Sequence, residues 1–408
     1  MTQANLTLPR LKTAETAKEL AHGFETAILP LKDGLNHLAT IAETGHCGFS
    51  NAPHWVGLWA AKVNPNIAVV VARRQGQIVA ATALEIVNVS GLKIAQFVGG
   101  SHANANFPAL KAHLSDLESA NLIAAIQAGL KAAPWCVDAI MLERQLETLG
   151  GMTNPLLAGG SSISPNVSLH LSVDQSFDAV LESRSAKRKR KRYRSQQRKF
   201  EAAGGFQIIN PSANAASAAL LDQYFAMKAQ QLSGKGVANV FGNIKEQAFF
   251  KALFTDTGLH KDHNFYLSHL DVGGKTRAIY GSSMHGTRQM VHFTAFSNDE
   301  LTAASPGDFL NFALVEAACS ATTKIYDLGI GDEGYKRSWC DVETWHRDVV
   351  IGLSLRGKLA KLQFDVTRAA KRWIKNNEKL WELAKRVRKL KSGKGAGARP
   401  APEDGSEL

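Results

Sequence analysis

The feature that most constrains this chain is an order of elements that it spells twice. In the first half, Ile67–Ala72 and Ile78–Val87 flank a turn at Gln75-Gly76, and Lys93–Val98 follows. Both hairpin arms are rich in Val, Ile and Ala, which suits buried antiparallel strands. Asp116–Ala132 then carries Leu117, Leu122, Ile123, Ile126 and Leu130 at helical steps, and Pro134 stops it. Val137–Leu142 reads as a buried strand. The second half repeats the order: Asn264–Leu270, a Gly273-Gly274 turn, Arg277–Met284, Met290–Phe296, a helix over Pro306–Ser320 and a strand over Lys324–Leu328. The two turns lie 198 residues apart and the two helix starts 190. Sequence identity between the halves is negligible, so what repeats is hairpin, strand, helix, strand. That order predicts two copies of one α/β (α+β) unit, and 408 residues suffice for both.

Between the halves, Gly150–Pro155 and Gly159–Pro165 read as turn and linker. Val167–Val173 alternates like a strand. Ser176–Ala203 reads as one long helix stopped by Gly204-Gly205. Phe206–Ile209 is a further strand, and helices are expected around Ala215–Gln231 and Ile244–Thr257. The net charge of +12 is concentrated in two segments. Arg184 to Phe200 holds ten Lys/Arg and no acid, and Arg356 to Lys394 holds fourteen against Asp365, Glu378 and Glu382. The remainder is mildly acidic. Two local basic helices argue for local anionic partners: a cofactor phosphate, an anionic membrane or polysaccharide surface, or RNA. The ordinary alternative is a solvated helix.

Several classes drop out. The cysteines at 47, 136, 319 and 340 have no short spacing, so neither a zinc site nor a disulfide framework is expected. HExxH, P-loop and GxGxxG patterns are lacking. Residues 26–31 are too short an apolar run for a signal core or a span. A cytoplasmic protein is expected, peripheral to the inner membrane if the basic helices bind lipid.

The chemistry concentrates between Ser305 and Trp339, SPGDFLNFALVEAACSATTKIYDLGIGDEGYKRSW. Ser305 suits an N-cap and Pro306 the first helical turn. A short strand follows, then a turn crowded with Asp332, Glu333, Tyr335 and Lys336. A helix start offers N–H groups to a phosphate, and a strand end beside it can present a proton-transfer residue. The pattern points to an enzyme using a phosphate-bearing donor. The plain alternatives are a capped helix, a tyrosine packing on Trp339 and a solvated lysine.

These pieces resemble a known family. Three features carry the likeness: the basic helix around Ser183–Phe200 ending in Gly-Gly, Ser305-Pro306-Gly307 after a strand, and Asp327, Gly331-Asp332-Glu333, Tyr335-Lys336 and Trp339 in that order. Val167–Ser354 resembles the acetyltransferase domain of the GNAT superfamily branch found in bacterial cellulose and exopolysaccharide loci, the CelD-like proteins. The first half, with His54-Trp55 before its hairpin, resembles a degenerate first copy. More remotely the chain is similar to FemAB-type transferases, which carry two GNAT-like halves.

The resemblance implies a 1–29 extension, a degenerate GNAT-like domain at 30–160, a catalytic one at 165–355, a basic amphipathic helix at 356–391 and a disordered tail at 392–408. It implies acyl transfer from acetyl-CoA or another acyl-CoA to an amine-bearing acceptor, with no metal. Backbone N–H groups of Gly307, Asp308 and Phe309 would hold the diphosphate, with Ser305 and Phe296 beside them. Tyr335 would protonate the leaving thiolate. Asp332 would take the amine's proton, with His292 or water as alternatives. Asp327, Lys336 and Trp339 would contact substrate. One departure stands out: the usual diphosphate loop has two small residues after Arg/Gln, whereas Asn298–Asp308 has one glycine. Two other functions stay open: an aminoacyl-tRNA-dependent transferase, which the basic helix favours and that departure permits, and a non-catalytic polysaccharide- or membrane-associated module of an export complex. The stripe Leu359, Leu362, Val366, Ala370, Trp373, Leu380, Ala384, Val387 either lies on a membrane or packs on the protein's own body.

Overall fold

The computed structural model describes residues 23–211, 214–235, 239–255 and 264–376. Residues 1–22 of the expected extension, the distal basic segment 377–391 and the tail 392–408 lie outside the described residues. The first half runs β1 (Phe24–Pro30), α1 (Leu31–Ala42), α2 (Pro53–Lys62), β2 (Ile67–Arg74), β3 (Gln77–Val89), β4 (Leu92–Phe97), the short β5 (Ala109–Leu110), α3 (Asp116–Lys131) and β6 (Ala139–Gln145). A small hairpin, β7 (Thr148–Leu149) and β8 (Met152–Thr153), leads to β9 (Ser161–Ser172). Two helices follow, α4 (Phe177–Glu182) and α5 (Ala186–Ala202). The second half runs β10 (Phe206–Ile209), α6 (Asn214–Lys235), α7 (Ile244–Thr255), β11 (Asn264–Val272), β12 (Lys275–His285), β13 (Arg288–Phe296), α8 (Pro306–Cys319), β14 (Ile325–Ile330), α9 (Gly334–Arg337), β15 (Val342–Gly352) and α10 (Leu355–Asn376).

All the long strands join one mixed sheet in the order β1-β2-β3-β4-β6-β15-β9-β14-β13-β12-β11-β10. The order is symmetric about its middle. The strands β1-β2-β3-β4-β6 of the first half answer β10-β11-β12-β13-β14 of the second. The two central strands are exchanged. β9 follows β6 in the chain but pairs with β14, and β15 follows β14 but pairs with β6. β9 and β15 also pair with each other, so the sheet does not break between the halves.

Helices cover both faces. On one face α2 and α7 meet, Trp55 lying 4.8 Å from Phe249 and Trp59 4.9 Å from it, edge to face. Such aromatic pairs add to the burial of their large apolar area. On the other face of the second half, Phe309 and Phe312 of α8 are buried and stack on Tyr193 of α5 at 4.4 and 4.2 Å. The expected single helix over 176–203 is thus two helices. The break at Ser183–Ser185, with Ser185 in the left-handed region (φ 62°), turns Arg184 inward to the Trp339 carbonyl and to Asp341 at 2.7 Å. Among the described residues no helix is long and apolar enough to cross a membrane.

Candidate active site at the parting of two parallel strands

β13 and β14 run parallel but pair only at Arg288↔Ile325, Gln289↔Tyr326 and Met290↔Asp327. Beyond Met290 they part. The parting coincides with a β-bulge: Gly281 faces Phe293 and Ser282 faces Val291, leaving His292 as the extra residue. Val291 packs with α8, whereas Phe293 packs with Tyr224 of α6 and Phe250 and Phe254 of α7 across the sheet. Two residues apart on an unbroken strand would share a face, so the bulge reverses the side-chain order where the gap opens. At the closed end, Asp327 accepts hydrogen bonds from Arg288 Nη2 at 2.6 Å, Ser168 Oγ at 3.3 Å and the Gly329 amide at 2.8 Å. Burial pushes its carboxyl up, but Arg288 and the amide outweigh burial and hold it below the ordinary carboxylate value. Gly329 sits at φ 72°, and a Cβ there would lie 2.9 Å from the Val291 carbonyl. Only glycine lets the strands stay this close before they diverge.

The first half has the same geometry with a different filling. β4 and β6 pair at Ile94–Gln96 with Ala139–Met141 and then diverge. There the chain after β4 laces the gap. The Asn106 amide donates to the Arg144 carbonyl at 2.9 Å, the Leu146 amide to the Asn106 carbonyl at 3.0 Å, and Asn106 Nδ2 to the Glu143 carbonyl at 2.8 Å. The helix that follows, α3, is closed by a capping box: Ser115 Oγ accepts from the Glu118 amide at 3.3 Å, and Glu118 accepts from the Ser115 amide at 2.8 Å. In the second half neither device is present among the described residues. The segment 297–305 makes no hydrogen bond to β14. Ser305, at φ 55°, places no side-chain cap on α8, contrary to the expected N-cap.

Helix α8 therefore starts without a side-chain cap on its first amides. The Phe309 amide is bonded to the Ser305 carbonyl at 3.2 Å, which removes it from the expected trio. Its ring is fully buried. The amides of Gly307 and Asp308 have no partner among the described residues. Phe296 flanks them, its ring 3.4 Å from where a Gly307 Cβ would be. The Asp308 carboxylate, a concern for any anion site, is paired with Arg192 of α5 at 3.0 Å. Gln196 of the same helix donates to the Ala304 and Ser305 carbonyls at 2.9 and 3.2 Å, fixing the turn before α8.

Tyr335 lies half-buried on α9 and packs on the α8 side of the sheet. His292 lies on the opposite side, edge to face with Phe49 at 4.7 Å. Its Nε2 is 2.8 Å from Ser283 Oγ, and burial pushes the imidazole down to about 4, so it is neutral at pH 7. Asp332 is exposed and paired with Arg337, which also holds Glu343. Three expected substrate contacts have other work. Asp327 is 1% exposed and clamps Arg288. Lys336 is buried, donating to the Ile330 carbonyl at 2.7 Å and pairing with Glu333 at 3.1 Å. Trp339 is buried beneath Lys189, whose ammonium lies 3.8 Å from the ring centre. Lys336 and Trp339 anchor the turn that carries Tyr335. The clamp partner Arg288, the bulge and Arg192 carried no sequence signal of their own. Each depends on contacts between distant segments.

No group of side chains among the described residues has the makings of a metal site. A surface hollow lined by Pro30, Leu35, Pro65, Ile67 and Trp135 belongs to the first half. Near His292 a narrow cleft between the halves is lined by Cys47, Phe49, Ser283, Arg288 and Met290.

The chain is similar in fold to solved structures. The crystal structure of FemX superposes with a TM-score of 0.55 at 11% identity, covering 83% of this chain and 99% of that one. L-PGS from Bacillus licheniformis gives 0.48 at 11% identity, over 85% and 98% of the two chains. The C-terminal domain of a putative lysylphosphatidylglycerol synthetase from Agrobacterium fabrum gives 0.47 at 10%, over 82% and 96%. No curated protein matches the sequence significantly. Residues 187–337, which span the basic helix, the strand gap, α8 and Tyr335, match the family model of the acetyltransferase (GNAT) domain.

Proposed function

We propose that the second half transfers an acyl group from an acyl-CoA thioester to a primary amine. The observation that carries this reading is the contrast between the two gaps. In the first half the gap is laced by Asn106 and the helix start is capped, whereas the β13/β14 gap is unlaced and α8 starts uncapped. A diphosphate fits the Gly307 and Asp308 amides at the positive end of α8. The thioester then lies in the gap, and the amine approaches from the α2/α7 face. The nitrogen attacks the carbonyl carbon, the C–S bond breaks, and Tyr335 gives its proton to the thiolate on the α8 face. The neutral His292 imidazole, or water, receives the amine's proton on the other face. It is better sited for this than the exposed, ion-paired Asp332. Backbone N–H groups at the bulge supply the polarisation of the carbonyl. The likeness to CelD-like proteins suggests an amino sugar of a cell-envelope or exopolysaccharide precursor as acceptor. Thermal stabilisation by acetyl-CoA, abolished by a charge at Gly307, tests the reading.

A second reading has its own observation. On α5, Lys187, Arg188, Lys191, Arg194, Arg198 and Lys199 are exposed and have no carboxylate partner among the described residues. Such a row suits a nucleic-acid backbone, and so an aminoacyl-tRNA donor. Protection of charged tRNA from nuclease, without stabilisation by acetyl-CoA, would favour it.

A further inference from the structure

Helix α10 presents its apolar side to solvent. Leu355, Leu359, Leu362, Val366 and Trp373 are 80, 68, 61, 60 and 64% exposed, and their spacing puts them in one stripe. The opposite side of the helix holds the body. Gly357 is packed so tightly that a Cβ would lie 1.7 Å from the Asp138 carbonyl oxygen. Arg368 is buried and bonds to Ser162 Oγ at 2.7 Å, the Ile163 carbonyl at 2.6 Å and Asp348 at 2.8 Å. The polar anchor faces in and the leucines face out, the reverse of an ordinary surface helix. Contiguous exposed apolar surface of this kind marks an interaction site.

The charge beside the stripe selects the partner. Arg356 and Lys358 are exposed at its start. The sequence beyond continues the same apolar spacing at Leu380, Leu383, Val387 and Leu390, with Lys371, Arg372, Lys375, Lys379, Lys385, Arg386, Arg388, Lys389 and Lys391 against only Glu378 and Glu382. The spacing would also suit a paired helix. A second copy, however, would bring few acids to answer these cations, since Arg356 to Lys394 holds fourteen Lys/Arg against Asp365, Glu378 and Glu382. Two such helices side by side would repel. Lipid phosphates supply the missing counter-charge, and a tryptophan within the stripe suits the bilayer interface.

We propose that α10 docks the protein on an anionic lipid bilayer, with the stripe Leu355–Trp373 in the acyl boundary and its basic flanks on the head groups. The proposal is independent of the donor used by the second half. The test is co-sedimentation of the full-length protein with vesicles of phosphatidylcholine alone or mixed with phosphatidylglycerol. Binding to the mixed vesicles is expected to be at least about tenfold tighter than to phosphatidylcholine and to weaken with salt. The double variant Leu362→Asp/Val366→Asp is expected to lose about 100-fold in binding, the factor implied by two aliphatic side chains no longer buried. Its melting temperature should be unchanged, because both side chains are exposed. The variant Lys187→Gln/Arg188→Gln/Lys191→Gln, on α5, should still bind vesicles. Binding to neither vesicle, equal binding to both, or binding lost with the α5 variant and kept by the α10 variant overturns the proposal. So does a wild-type dimer in sedimentation analysis that the α10 variant converts to monomer without any vesicle binding.

Discussion

Replacing Gly307 by glutamate asks whether the start of α8 holds a diphosphate. The position has room: a Cβ would meet only the Phe296 ring, at an ordinary 3.4 Å. An acid in the first turn of a helix favours folding by a few tenths of a kcal/mol, so the melting temperature should hold or rise. For the ligand the sign is opposite. A carboxylate about 5 Å from a phosphate, at an effective dielectric near 20, costs about 3 kcal/mol, or roughly a hundredfold in affinity. Asp308 shows why the native acid does no such harm: Arg192 neutralises it at 3.0 Å, and the new side chain would have no equivalent partner. Gly307→Ala, which adds bulk without charge, should bind within about threefold of the wild type. Titration with acetyl-CoA at low and high salt reads both variants. Unchanged affinity in the glutamate variant would refute the reasoning, because a charge cannot be indifferent to a diphosphate seated on that amide.

Further expectations follow from other groups. Tyr335→Phe should lower the turnover rate by roughly 10²-fold with little change in KM, measured as thiol release; unaltered turnover removes Tyr335 as the acid. His346 is 1% exposed, and burial pushes it from the ordinary 6.5 down to about 4. The unfolded chain takes up that proton below pH 6.5 while the folded one refuses it until about pH 4. Its contribution is therefore intact above 6.5 and lost as the pH falls, about 2 kcal/mol between pH 7 and pH 5. Urea unfolding of His346→Gln should show a correspondingly shallower pH dependence, and an identical one would contradict the assignment. Gly357→Ala drives a methyl group into the Asp138 carbonyl and should cost about 1–3 kcal/mol. Limited proteolysis should then release α10 faster, and an unchanged cleavage rate would count against the tight packing.

The repeated hairpin, strand, helix and strand was legible because each segment's own apolar pattern declares it. Phe206–Ile209, α3 and α8 lie within a few residues of where that pattern puts them. What escaped depends on distant contacts. α1 contains Gly34, a poor helix residue in isolation, yet it packs so closely that a Cβ would be 2.4 Å from Val69. β15 finds its partners in β6 and β9, both far earlier in the chain, and nothing local announces that exchange. At the site, the sequence picked out the segment but not the internal division of labour. Asp327, Lys336 and Trp339 are polar or aromatic groups near the gap, and only their burial shows that they hold strands and turn in place. The lacing of the first gap by Asn106 could not be read from one asparagine.

In the proposed function the donor enters the gap between β13 and β14 and not its counterpart between β4 and β6. Hydrogen–deuterium exchange of the full-length protein with and without acetyl-CoA tests this directly. Slowed exchange is expected at the amides of Gly307 and Asp308 and along 291–296, with the start of α3 near Ser115 unaffected. Protection near Ser115, or none at Gly307 and Asp308 under saturating acetyl-CoA, would contradict it.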